Sequence, residues 1–302
     1  MVIKRFAAID IGSNSVRLLI ANVLQNGDNP MFKKSSLIRV PVRLGASAFT
    51  NHRIPEISIT HLVETMLAFK YLMKANDVIH YKGCATSAMR EANNGKEIIK
   101  RIKDKAGINI EIISGNSEAD LIFNSQNASI GKLLTNSLFV DVGGGSTEIT
   151  IFSKGKAIAA KSFPIGTLRI LQNTVTKNDW KQLKDWMKLK SGKLKDFTLI
   201  GSGGNINRIA KLVNLKPGKP LPFETLDDIV DELKRYSYDD RMKIFDLNPD
   251  RADVIVPAGE IFTTIMKNMN ADKIYVPKIG LGDGIVREAY KEYLNGKKTT
   301  FV

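Results

Sequence analysis

Apolar runs cut short by glycine- and serine-rich turns set the rhythm of this chain. Residues 6–11 are apolar except for Asp10. The turn Gly12-Ser13-Asn14-Ser15 follows, and residues 16–20 resume the run with Arg17 as their polar position. The plan returns at 138–151: apolar residues around Asp141, the turn Gly143-Gly144-Gly145-Ser146, then Thr147. Beyond it Glu148 and Thr150 alternate with Ile149 and Ile151. Without gaps, Asp10 falls on Asp141, Gly12 on Gly143, Ser15 on Ser146 and Arg17 on Glu148. Each copy reads as a buried strand, a tight turn and a second strand. The alternation after the second turn predicts a strand buried on one face. Two such units predict two similar lobes, residues 1–125 and 126–302, whose hairpin turns point into a cleft between them. The boundary falls within residues 124–136.

The remaining pattern fills in each lobe. Leu62, Met66, Phe69 and Leu72 give residues 59–75 a helical period. Residues 81–85 read as a strand leading into Thr86-Ser87. Residues 108–113 form another, ending at Ser114-Gly115-Asn116, and a helix follows over 117–126 with Asn116 or Ser117 as its N-cap. In the second half a strand at 197–200 runs into Gly201-Ser202-Gly203-Gly204 and a helix at 206–213. A loop at 216–222, a helix at 257–269, a strand at 274–276 and a glycine-led helix at 281–293 complete the chain. Strands alternating with helices make this an α/β protein.

Composition adds bounds. The 302 residues are 43% hydrophobic and supply a sizeable core. Chains beyond roughly 250–300 residues tend to divide into domains. No stretch reaches the roughly 18 apolar residues that span a bilayer, and the apolar N-terminal run breaks at Asp10, so neither a membrane span nor a signal peptide is expected. The single cysteine, Cys84, excludes an intrachain disulfide and reads as a buried thiol. Together these point to the cytoplasm. His52, His61 and His80 lack metal-ligand spacing. No Ser/His/Asp or Cys/His arrangement stands out.

Charge changes the picture more. Forty-five Lys and Arg against 31 Asp and Glu give a net +14. Such a surface concentrates anions; nucleic acid, acidic lipid and polyphosphate all fit. Residues 177–195 hold Lys181, Lys184, Lys188, Lys190, Lys193 and Lys195. They form either a solvated helix face or an anion-attracting one.

The two turns are the first candidates for chemistry. Backbone N–H groups bind phosphate well, and glycine lets the backbone approach closely. Gly143, Gly144, Gly145, Ser146 and Thr147 suit this, as do Gly12, Ser13, Asn14 and Ser15. Asp10 and Asp141 end apolar strands, where an ionised carboxylate needs a partner. That partner is a hard cation such as Mg²⁺, or the turn amides. Glu148 can reach the same ion. Glu118, in the first turn of its helix, can activate a water or serve the helix dipole. Arg17 and Arg90 are phosphate clamps or surface ion-pair partners. Gly201, Ser202, Gly203 and Gly204 form an anion site at a helix start or an ordinary packed turn.

Taken in order, several motifs resemble the signature series of the exopolyphosphatase/guanosine pentaphosphate phosphohydrolase (Ppx/GppA) family. They are the stretch from Ala8 through Asp10 and Arg17 to Leu18, then Ala85-Thr-Ser-Ala-Met-Arg90-Glu-Ala, Ile113-Ser-Gly-Asn-Ser-Glu118-Ala and Val140-Asp141-Val-Gly-Gly-Gly-Ser-Thr-Glu148. Pro164-Ile-Gly166-Thr-Leu-Arg169, Gly201-Ser-Gly-Gly204 and Arg251-Ala-Asp-Val-Ile-Val-Pro-Ala-Gly259 follow. The resemblance runs from about residue 6 to 288. It departs at Ser117, where the family often has a second acid, and at Gly280-Leu-Gly-Asp-Gly284, which lacks the family's arginine.

The resemblance implies an actin-like (ASKHA) fold of two ribonuclease-H-like lobes, an interlobe active site and Mg²⁺ dependence. It implies that Glu118 positions the attacking water, that Asp141 and Glu148 are catalytic and metal-binding, and that Arg17 and Arg90 contact phosphate. The expected activity is exopolyphosphatase, with hydrolysis of guanosine pentaphosphate as the alternative, in a homodimer without nucleic-acid or membrane partners. An ATP-dependent kinase would need an adenosine pocket and an acceptor-specific base, and neither is apparent. A sensor without turnover would be expected to lack one of Glu118, Asp141 and Glu148.

Overall fold

The computed structural model describes residues 3–25, 30–126, 136–154, 156–191, 197–277 and 279–297. The chain divides into two units. One joins Met1–Ser125 to Leu281–Val302, and the other is Gln126–Gly280.

In the first unit β1 (Ile3–Ile11), β2 (Val16–Leu24) and β3 (Met31–Val40) form an antiparallel meander. Helices α1 (Gly45–Asn51) and α2 (Glu56–Ala75) lead to β4 (Val78–Ala85), which lies parallel to β1. Then come α3 (Ser87–Glu91), α4 (Gly95–Ala106), the short β5 (Glu111–Ile112) and α5 (Gly115–Gln126). The sheet order is β3-β2-β1-β4-β5. Phe6 to Ile11 are buried on both faces, so β1 shows no alternation. Helix α2 buries Ile59, Leu62, Val63, Met66, Phe69 and Met73, the stripe that its 3.6-residue period aligns.

The second unit repeats the plan with β6 (Asn136–Val142), β7 (Thr147–Ser153), β8 (Lys156–Phe163), α6 (Thr167–Leu171) and α7 (Lys177–Ser191). Strand β9 (Thr198–Ser202) runs parallel to β6, giving the order β8-β7-β6-β9. Helix α8 (Gly204–Leu212), β10 (Leu221–Pro222), α9 (Phe223–Arg235), α10 (Tyr238–Ile244), α11 (Pro249–Ala252), α12 (Ile255–Asn268) and β11 (Lys273–Ile274) follow. A parallel bridge from Ile200 to Tyr275 extends the sheet past β9. Both units thus carry a ribonuclease-H-like order: a meander, then parallel strands added beside its first strand.

Four readings are corrected. Residues 281–302 belong with the first unit, not the second. The final helix, α13 (Leu281–Leu294), covers the otherwise open face of β1. There the Phe6 ring meets Tyr290 and Tyr293 edge-on at 5.4 and 5.5 Å. Lys82 of β4 donates to Glu292 at 2.8 Å. Gly284 lies so close to α5 that a Cβ there would stand 2.0 Å from the Leu121 carbonyl oxygen. Secondly, the strand expected at 108–113 pairs only at Glu111 and Ile112. Thirdly, α5 begins at Gly115, earlier than expected, and Ser114 caps it: its hydroxyl accepts from the Ser117 amide at 3.1 Å. Fourthly, β7 is buried on both faces from Thr147 to Phe152, because it is an inner strand covered on either side. The boundary region 124–136 lies largely outside the described residues, as do Lys193 and Lys195.

Candidate active site

In the first unit the parallel strands end level. Ile11 pairs with Ala85 and Ala85 with Ile112, so the loops after β1, β4 and β5 share one edge of the sheet. Ligands of open α/β sheets bind at such carboxyl edges. Asp10 is buried and stands directly across the ladder from Arg17, whose Nη1 donates to its carboxylate at 3.2 Å. Burial pushes the Asp10 carboxyl above its ordinary value against the pull of Arg17.

The turn between β1 and β2 closes with the Gly12 amide donating to the Ser15 carbonyl at 3.2 Å. Its own carbonyls are taken up by the following segment. Ser13 O accepts from the Gly45 amide at 2.8 Å and Asn14 O from the Arg43 amide at 3.0 Å. Side chains fix it further: the Ser13 and Ser87 hydroxyls are 2.9 Å apart, and Arg39 Nε donates to Ser15 Oγ at 3.1 Å. Ser87 thereby docks α3 on the turn. Arg90, in α3, donates to the Ile113 carbonyl at 2.8 Å, next to the cap of α5. Glu118 sits one turn into α5 and is buried.

The second unit closes its turn alike, with the Gly143 amide donating to the Ser146 carbonyl at 2.9 Å. Here the buttress is α6. The amides of Thr167 and Leu168 donate to Gly143 O and Gly144 O at 3.1 and 2.8 Å. Buried Arg169 Nε donates to Gly145 O at 2.7 Å. Three successive carbonyls are so tied back. The amides of Gly144 and Gly145 donate to no backbone carbonyl among the described residues. A loop with carbonyls engaged and amides available suits an anion. The fit is tight: a Cβ on Gly166 would lie 2.4 Å from Gly144 O.

Asp141 and Glu148 are direct cross-strand partners on β6 and β7. Glu148 is buried, and Ser162 Oγ, opposite it on β8, donates to its Oε1 at 2.7 Å. Two facing carboxylates with oxygen donors are the chemistry that Mg²⁺ takes. Gly203, at φ 112°, reaches a backbone region favouring glycine, and a Cβ there would stand 3.4 Å from Asp141 Oδ1. Thus the Gly201–Gly204 turn adjoins Asp141, while Arg251 donates to the Gly204 carbonyl at the start of α8.

The sequence-expected residues therefore fall into two groups. Asp10, the first turn, Arg17, Arg90 and Glu118 belong to the first unit. Asp141, Glu148, the second turn and Gly201–Gly204 belong to the second. Sequence reading passed over the supports: Ser87, Arg39, Ser162, and the grip of Arg169 on the loop. Ser162 would have been found only by knowing the register of β8 against β7. Among the described residues no helix is long and apolar enough to cross a membrane.

The sequence model of the Ppx/GppA phosphatase family matches residues 25–292. A bifunctional 3-dehydroquinate synthase/phosphatase of Fusobacterium nucleatum is 29% identical over 296 residues, covering 89% of this chain and 44% of that protein. Exopolyphosphatase 1 of Mycobacterium leprae is 22% identical over 93% of this chain and 88% of its own length. A crystal structure of the Aquifex aeolicus Ppx/GppA family member superposes with a TM-score of 0.76 at 28% identity, covering 96% of this chain and 99% of that one. An exopolyphosphatase structure from Cytophaga hutchinsonii reaches 0.82 at 24% identity, over 97% and 98%. The fold is the actin-like α/β fold of these structures.

Proposed function

The chain belongs to the Ppx/GppA phosphatase family, and on that premise we propose that it is a Mg²⁺-dependent exopolyphosphatase. It removes the terminal phosphate of inorganic polyphosphate. The observation that carries this reading is the facing pair Asp141 and Glu148 beside a loop whose carbonyls are tied back. Acids directly opposite each other repel, and a divalent cation shared with substrate phosphates relieves that repulsion. Relatives bearing the name exopolyphosphatase match over most of this chain.

In this reading the amides of Gly12–Ser15 and Gly143–Thr147 hold phosphate oxygens. Arg17 and Arg90 add charge-assisted hydrogen bonds. Asp10 acts first on Arg17, orienting its guanidinium, and is a further candidate ligand for the metal. Asp141 and Glu148 would hold Mg²⁺, which when bound neutralises charge on the phosphate oxygens. Glu118 accepts a proton from the attacking water. The water oxygen bonds to the terminal phosphorus, the bridging P–O bond breaks, and orthophosphate and a chain shorter by one unit leave. The Gly201–Gly204 turn beside Asp141 would take a further anionic group. Cys84, buried and pushed up to about 12, is an inert thiol and fits a cytoplasmic setting.

The test is phosphate release from polyphosphate, guanosine pentaphosphate and ATP side by side, with and without Mg²⁺. Release from polyphosphate that requires Mg²⁺ is expected. Release from guanosine pentaphosphate alone would move the substrate to that nucleotide, and none from any would overturn hydrolysis.

A further inference from the structure

Helix α7 carries Lys177, Lys181, Lys184 and Lys188 at spacings of four, three and four residues. At about 100° per residue these fall within one narrow arc of the helix surface. All four are exposed, whereas Leu183, Met187 and Ser191 turn inward. None of the four is in an ion pair with a described residue. Helix α4 is the contrast. Lys96, Lys100 and Lys103 have the same spacing there, but Lys100 pairs with Asp104 at 2.5 Å and the neighbouring Arg101 with Glu56.

Helix α7 is joined to the strand beside the second turn through its opposite side, since Trp186 lies nine residues, about 180°, round from Lys177. Trp186 of α7 packs edge-on against Phe163 at 5.6 Å, and Phe163 pairs in register with Thr147, the first residue after that turn. Lys161 lies over the Phe163 ring at 5.0 Å and adds a further cation beside it.

We propose that the α7 lysine stripe is a docking surface for inorganic polyphosphate, holding the part of a long chain that extends beyond its hydrolysed end. This rests on the polyphosphate reading above and adds the surface that favours long chains. Four ammonium groups with no ion pair among the described residues, spread over roughly 16 Å of helix at about 1.5 Å per residue, match a linear polyanion with a charge on every unit. They match a compact anion poorly. Held ions on the chain are released as lysines replace them, so binding falls steeply with salt.

The experiment compares wild type with Lys181→Gln/Lys184→Gln/Lys188→Gln. The α4 set Lys96→Gln/Lys103→Gln/Lys105→Gln is the control of equal charge. Phosphate release is measured on tripolyphosphate and on chains of several hundred units across a salt series. Binding of fluorescently labelled long polyphosphate is measured alongside. The α7 variant should lose the long-chain advantage in KM and bind long chains about tenfold more weakly at low salt. Its log–log salt slope should be shallower by about 2, at roughly 0.7 for each lysine–phosphate pairing removed, as for flexible single-stranded polyanions. The α4 variant should behave as wild type. Equal loss in both variants, or none in the α7 variant, would overturn the stripe while leaving hydrolysis in place. If wild type releases no phosphate from polyphosphate, the functional reading fails. The binding arm then decides the stripe: a loss confined to the α7 variant upholds it, and unchanged binding ends it.

Discussion

Arg17 in the first hairpin and Glu148 in the second occupy the same position, each directly across the ladder from the aspartate one residue before the end of the preceding strand. In the first hairpin the aspartate meets a base. Arg17 reaches Asp10 at 3.2 Å and the pair is complete within the protein. In the second it meets an acid. One duplicated geometry has thus been given opposite electrostatics. One hairpin pairs an acid with a base, and the other sets two carboxylates directly opposite each other.

That asymmetry predicts separable effects on stability and turnover. Like charges directly opposite each other on neighbouring strands are destabilising. Asp141→Asn should therefore abolish phosphate release yet unfold no earlier than wild type in EDTA. Added Mg²⁺ should raise the melting temperature of wild type and not that of the variant. Thermal melts with and without the ion check this, and identical Mg²⁺ shifts in both proteins would remove Asp141 from the metal site.

Glu118 is predicted to matter for rate rather than for binding. A general base contributes about 10²–10⁴-fold, so Glu118→Gln should lower kcat by about 10²-fold or more with KM little altered. Steady-state phosphate release is the measurement. Wild-type turnover in the folded variant would exclude the role.

Gly166 and Arg169 should act through the second turn. A methyl at Gly166 has no room beneath Gly144 and Gly145, so Gly166→Ala must displace the turn. Arg169→Lys cannot reproduce the Nε–H bond to Gly145 O in the same planar geometry. Both variants should raise KM for short polyphosphate several-fold, and Arg169→Lys should be the milder. A structure of Gly166→Ala with an unmoved turn would contradict the account.

Acid should loosen the first unit. His80 is buried, and burial holds its imidazole below its ordinary value while Glu292 pulls the other way and Lys82 and Lys297 add to the depression. Burial alone would raise the Glu292 carboxyl, but Lys82, Lys297 and His80 outweigh it and hold it low. For both groups the folded value lies beneath the unfolded one. The stability they contribute is complete above about pH 6.5 for His80 and about 4.5 for Glu292. It is lost as pH falls through the folded values. Melting temperature should decline below about pH 6.5, and His80→Gln should flatten the first part of that decline. An unchanged profile would place the titration elsewhere.

The two hairpins were legible because everything that makes them is local: a buried run, a glycine-rich turn and a second run. That Asp141 and Glu148 lie on the two strands of one hairpin followed from the same short stretch, whereas their direct pairing came from the register. The edge strands were not legible. β3 exposes Lys33, Lys34, Ser35 and Leu37, and β8 begins with three exposed residues, so neither shows a buried run. Without β8, Ser162 could not be set opposite Glu148. The helix at 281–293 was legible as a helix, but an apolar face states only that a partner exists, and the partner, β1, lies at the far end of the sequence.

That return of α13 to β1 gives the chain an order of completion. During synthesis from the N-terminus, residues 126–280 emerge whole and can close their own core while the face of β1 around Phe6 still lacks its cover. The first unit to be made is the last to be finished. A nascent or C-terminally trimmed chain therefore presents a sheet with bare aromatic surface while the second unit is already folded, the kind of species that chaperones engage.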